Sequence, residues 1–127
     1  MVVVKAKAVD FISYSVTDMD KAEAFWRDML GLEIEVPRGE PGTRSNGYME
    51  LDAGGVAIGL VAMPKTHPNG IVALAVDDVG EAVEELRGKG VTIAMERIES
   101  PVCWMAVVED PDGNQVLLHQ RKDGTAG

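Results

Sequence analysis

The sequence predicts an α+β fold, built from paired βαβββ modules whose strands form a curved, barrel-like mixed β-sheet cavity with the helices outside. Three observations predict it. The segment FISYSVTDMDKAEAFWRDMLGLEI, from Phe11, returns in outline from Ile71 as IVALAVDDVGEAVEELRGKGVTI, so that Val16, Asp18 and Ala22 recur 60 positions later as Val76, Asp78 and Ala82. Each copy runs from a short apolar strand through an acidic turn into an amphipathic helix, and leaves through a glycine, Gly31 or Gly90, into another strand. Each copy then closes with a hairpin about an Asp- and Gly-rich turn.

Taken in order, Val9 to Val16 reads as the first strand, and Thr17 or Asp18 caps the helix that follows by accepting backbone N–H bonds. Across Met19 to Leu30 the apolar residues Ala22, Phe25, Trp26 and Met29 recur at helical spacing, which assigns them to a buried face. Gly31 suits the position just past the helix, where positive φ is cheap only for glycine. Leu32 to Val36 is a strand stopped by Pro37, and Arg38 to Gly47 is a loop carrying Arg38, Glu40 and Arg44. Tyr48 to Leu51 and Val56 to Met63 form a hairpin about Asp52-Ala53-Gly54-Gly55, and Pro64 to Gly70 joins the halves.

The second copy repeats the plan. Ile71 to Val76 is a strand, Asp77 or Asp78 the cap, Val79 to Gly88 the helix, Gly90 its stop and Val91 to Met95 a strand. Val102 to Glu109 and Asn114 to Gln120 form the last hairpin, about Asp110-Pro111-Asp112-Gly113, where proline presets φ and glycine accepts a left-handed conformation.

A chain of 127 residues is one domain's worth of material, with repeats spanning about 9–63 and 70–121, each too small to bury a sufficient core alone. The net charge of −9 argues against nucleic acid, which demands a clustered basic surface. No apolar run reaches the ~18 residues of a membrane span, and Met1 to Val4 is too short for a secretory signal. The one cysteine, Cys103, rules out an internal disulfide and fits a cytoplasmic protein, with the thiol a small buried strand residue.

Three segments carry a family resemblance: VTDMDKAEAFWRDMLGLEIE, VALAVDDVGEAVEELRGKGV and EDPDGNQVLLHQ. With the paired βαβββ order they cover nearly the whole chain, which resembles the vicinal oxygen chelate superfamily of glyoxalase I, bleomycin-resistance proteins and extradiol dioxygenases. The resemblance implies one divalent metal held by His and Glu side chains at four positions. In this chain those positions are Phe11, Gly59, Ile71 and Leu117. None offers the nitrogen, thiolate or carboxylate that such a metal needs, so no cofactor is expected, and a divalent metal enters only with relocated ligands.

Period-two alternation outward from those positions gives a mostly apolar lining: Phe11 and Ser13 on the first strand, Gly59 and Val61 on the hairpin, then Ile71, Gln115, Leu117 and His119. The strand from Val102 to Glu109 contributes either the face of Cys103, Met105 and Glu109 or the face of Trp104. Trp26 belongs to the core. The chain has two histidines: His67, a solvated loop residue, and His119, a hydrogen-bonded residue near a strand end. The Arg38–Gly47 loop is either mobile surface or a clamp on an anionic group.

Three functional readings follow. The first, on the likeness to metal-free bleomycin-resistance homodimers, is a homodimer that binds a small hydrophobic or aromatic metabolite or antibiotic. The second is a lyase, isomerase or dioxygenase of the same superfamily, using a relocated metal or acid–base residues drawn from Glu50, Glu109 and His119. The third is a regulatory or self-resistance partner acting through its surface.

Overall fold

The computed structural model describes residues 4–39, 47–64 and 70–127. Glu40, Arg44 and His67 lie outside the described residues. The elements run β1 (Ala8–Val16), α1 (Met19–Glu23) continued by a π-helical segment (Ala24–Met29), β2 (Glu33–Val36), β3 (Tyr48–Asp52), β4 (Ala57–Ala62), β5 (Ile71–Ala75), α2 (Val79–Gly88), β6 (Thr92–Glu99), β7 (Cys103–Glu109) and β8 (Gln115–Arg121). This is the α+β, twice-βαβββ order that the repeat predicts. None of the described helices is long and apolar enough to cross a membrane.

Two compact units divide the chain: Phe11–Gly70, and residues up to Asp10 together with Ile71–Gly127. In the first unit the strand order is β2-β3-β4-β1, with β1 parallel to β4 and the other pairs antiparallel. Tyr14, Val16, Ile34, Met49, Leu51, Ile58 and Leu60 point to α1 and pack on Met19, Ala22 and Trp26. Asp18 is the cap, its carboxylate accepting the Lys21 N–H at 3.1 Å.

The helix it starts is not the uniform α-helix that the spacing predicts. Leu30 N–H reaches back five residues to the Phe25 carbonyl, and Leu32 N–H bonds the Trp26 carbonyl. The wider π turn changes the angular step between side chains. Ala22 and Trp26 stay on the core side, while Phe25 is 46% and Met29 74% exposed. The expected burial of Phe25 and Met29 is therefore corrected, since period 3.6 no longer applies beyond Glu23.

In the second unit the order is β5-β8-β7-β6, with β5 parallel to β8. Val79, Ala82 and Val83 of α2 pack on Val76, Ala106, Val108 and Leu118. Asp78 caps α2 through the Glu81 N–H at 2.9 Å, and the Gln120 side-chain oxygen accepts the Val79 N–H at 3.0 Å. Two bonds, Gly90 N–H to the Arg87 carbonyl and Val91 N–H to the Leu86 carbonyl, close the helix in a Schellman motif with Gly90 at φ +83°. No heavy atom lies within 4 Å of a Cβ built there. Gly90→Val should therefore cost roughly 1–2 kcal/mol of backbone strain alone, read as a lowered urea midpoint at constant slope; an unchanged midpoint would contradict the motif.

β6 runs past the expected stop at Met95 to Glu99, with register shifts between Ile93 and Met95 and between Met95 and Ile98. Its polar end reads as loop because an edge strand is half solvated and needs no continuous apolar face. In the β7–β8 turn the Asn114 side chain and backbone, with N–H groups of Asp112 and Gly113, hold the Asp110 carboxyl below its ordinary range.

Candidate functional site

Each unit turns one sheet face to its helix and leaves a second face, and the predicted site residues fall largely on these second faces. In the first unit, β1 residues Phe11 and Ser13 alternate with the α1-facing Tyr14, and Ser13 pairs with Gly59 of β4. Val61 follows on the same face. Across β3, Glu50 lies opposite Gly59, and Tyr48 lies opposite Val61.

Tyr48 leans diagonally along this face, so that a Cβ built on Gly59 would sit 3.1 Å from its hydroxyl oxygen and 3.4 Å from its ring. Its hydroxyl donates to Glu50 Oε2 at 2.6 Å. Glycine is thus the residue that lets the tyrosine ring cross the sheet here.

In the second unit, Val116 and Leu118 point to α2, so Gln115, Leu117 and His119 occupy the opposite face, with Ile71, Ala73 and Ala75 of β5. The alternation of β7 is settled in the same way. Trp104, Ala106 and Val108 pack toward α2, which places Met105 and Glu109 opposite His119 and Gln115 on the second face. Trp104 is therefore withdrawn from the candidate lining. The Arg97 guanidinium and the Lys122 ammonium each lie over its ring instead, at 4.7 and 4.8 Å from the centroid.

His119 is the hydrogen-bonded histidine that the sequence suggests, with a partner that it does not. His119 Nδ1 lies 2.5 Å from Asp10 Oδ2, and both residues are buried, at 6% and 4% exposure. Asp10 Oδ1 accepts the Gly127 N–H at 2.7 Å and stands 3.6 Å from Arg121 Nη2. Asp10 was missed because it interrupts an apolar strand with no local pattern to pair it with a residue 109 positions away. Its one signal is a carboxylate inside a strand sequence, where an unpaired charge would be costly.

Two smaller expectations resolve in the same geometry. Arg38 bonds Asp20 at 2.9 Å and Glu23 at 3.3 Å on α1, so it is engaged there and not offered to an anion. Cys103 is buried, with its sulfur 3.0 Å from Ser100 Oγ.

The sequence profile of the Glyoxalase/Bleomycin resistance protein/Dioxygenase superfamily matches residues 8–118. The chain belongs to this superfamily. The lactoylglutathione lyase of Salmonella typhimurium is 28% identical over 123 residues, covering 88% of this chain and 91% of its own. A hypothetical protein from Bacillus halodurans C-125 superposes with a TM-score of 0.73 at 17% identity, over 97% of this chain and 100% of the other. The Mn(II)-bound glyoxalase from Novosphingobium aromaticivorans gives a TM-score of 0.64 at 21% identity, over 98% of this chain and 42% of that one. At these identities the two structures speak for the fold alone.

A metal of the superfamily's kind does not fit the residues present. Phe11 and Ile71, Gly59 and Leu117 carry no donor atom. Above Gly59 the space nearest the backbone is taken by the Tyr48 hydroxyl. Among the described residues, no three His, Cys, Asp or Glu side chains are grouped as a metal site requires.

Proposed function

We propose that this glyoxalase/bleomycin-resistance-like protein binds, and so sequesters, a small hydrophobic or aromatic metabolite or antibiotic without a metal. The observation that carries the reading is that the superfamily's ligand positions hold Phe11, Gly59, Ile71 and Leu117, three of them apolar side chains and none with a donor atom. Ser13 on the second face of the first unit, and Gln115 on that of the second unit, are uncharged hydrogen-bonding groups. A homodimer belongs to the same proposal. Phe25, Met29 and Leu30 are 46%, 74% and 53% exposed, an apolar strip that a second copy would cover.

The test is thermal. A panel of aromatic metabolites and antibiotics is screened by melting temperature in buffer containing a chelator. A ligand at a hundred times its Kd should stabilise by about 2.7 kcal/mol, a rise of roughly 10 °C for a chain of this size. Rises that vanish with the chelator and return with added metal would overturn the reading.

One observation favours a second reading. A histidine held by a buried carboxylate is how a general base is oriented, and Asp10 holds His119 in this way. Under that reading the chain is a lyase or isomerase that moves a proton through His119.

A further inference from the structure

We infer that Glu50 forms a cation-recognition subsite, so that the bound molecule carries a protonated amine beside its apolar or aromatic body; the inference rests on the binding function proposed above and deepens it. Glu50 stands on the second face of the first unit, opposite Gly59 on one side and Val36 on the other. It is partly buried. Its Oε2 is held by the Tyr48 hydroxyl at 2.6 Å, while the described residues place no hydrogen bond or ion pair on Oε1.

A carboxylate fixed through one oxygen, with the other still an acceptor, suits a donor that carries its own positive charge. The chain's net charge of −9 draws cations and repels anions. The cation is organic and not a metal ion. One carboxylate and one phenol oxygen among Val36, Gly59 and Val61 fall short of the four ligands that zinc takes or the six to eight of calcium. An ammonium on an apolar body needs only one or two acceptors.

The test uses one ring system with three charges: tryptamine, tryptophol and indole-3-acetate, titrated calorimetrically into the full chain near pH 7 with chelator present. Tryptamine should bind at least about tenfold more tightly than tryptophol, the usual size of a charge-assisted hydrogen bond, and indole-3-acetate should bind most weakly. Glu50→Gln should bring tryptamine down to the tryptophol level and leave tryptophol unchanged. Glu50→Asp keeps the charge and should keep part of the preference, which separates charge from any loss of fold. Equal binding of tryptamine and tryptophol, or a preference that survives Glu50→Gln, overturns the subsite while the binding function stands. Failure of all three compounds to bind removes both.

Discussion

Asp10→Ala is expected to destabilise the protein by about 3 kcal/mol, the largest single-site effect at the candidate site. The Asp10 side chain is fully buried and holds two partners at once, His119 Nδ1 at 2.5 Å and the Gly127 N–H at 2.7 Å. Alanine would remove the carboxylate that faces His119 Nδ1 and the Gly127 N–H, and removing one member of a buried, hydrogen-bonded pair typically costs 3–5 kcal/mol. The measurement is urea unfolding of the variant against the parent chain. Asp10→Asn retains one side-chain acceptor and should lose roughly half as much. A loss below about 1 kcal/mol in the alanine variant would show that water replaces the carboxylate, and that Asp10 does not orient His119.

Gly70→Ala is expected to cost roughly 2–5 kcal/mol, for two reasons that add. Gly70 has φ +65°, which an L side chain adopts at about 1–2 kcal/mol of strain. Its added Cβ would also lie 2.8 Å from Tyr14 Cε1 and 3.1 Å from the Ser13 carbonyl oxygen. Neither neighbour yields easily. Ser13 is strand backbone paired with Gly59, and Tyr14 packs against the first unit's core with its ring 5.6 Å from that of Trp26. Overpacking of this kind adds 1–3 kcal/mol. Gly90, with open space around it, is the internal control: if Gly70→Ala costs no more than a substitution at Gly90, the close approach of Tyr14 is wrong.

Much of the fold was legible because it is encoded locally. Asp18 and Asp78 announce helix starts by capping chemistry, Gly31 and Gly90 announce the ends by positive φ, and α2 occupies the span that its apolar spacing predicts. The second-face residues of β4, β5 and β8 follow from period-two alternation, which needs only one anchored residue per strand. What escaped depends on groups far apart in the chain or on hydrogen-bond register that periodicity does not record. The π turn after Glu23 leaves the composition of the segment unchanged and yet exposes Phe25 and Met29. Trp104 could not be placed until β7 was seen to pack on α2.

The candidate site shows the same division. Phe11, Gly59, Ile71 and Leu117 were readable as positions without donors, because the family pattern numbers them. The partners that give the faces their chemistry were not readable. Tyr48 reaches over Gly59 by a diagonal contact across two strands, and Asp10 meets His119 from the opposite end of the chain. Neither contact leaves a spacing that a linear pattern could reveal.

Metal content tests the proposed metal-independent binding most directly. Protein purified without added metal and without chelator is analysed for Zn, Ni, Mn and Fe by elemental mass spectrometry, alongside its exact protein concentration. Metal well below one equivalent per chain, unchanged after incubation with each ion and desalting, is the predicted result. One equivalent of any of these ions per chain, lost on chelation together with ligand binding, would contradict it.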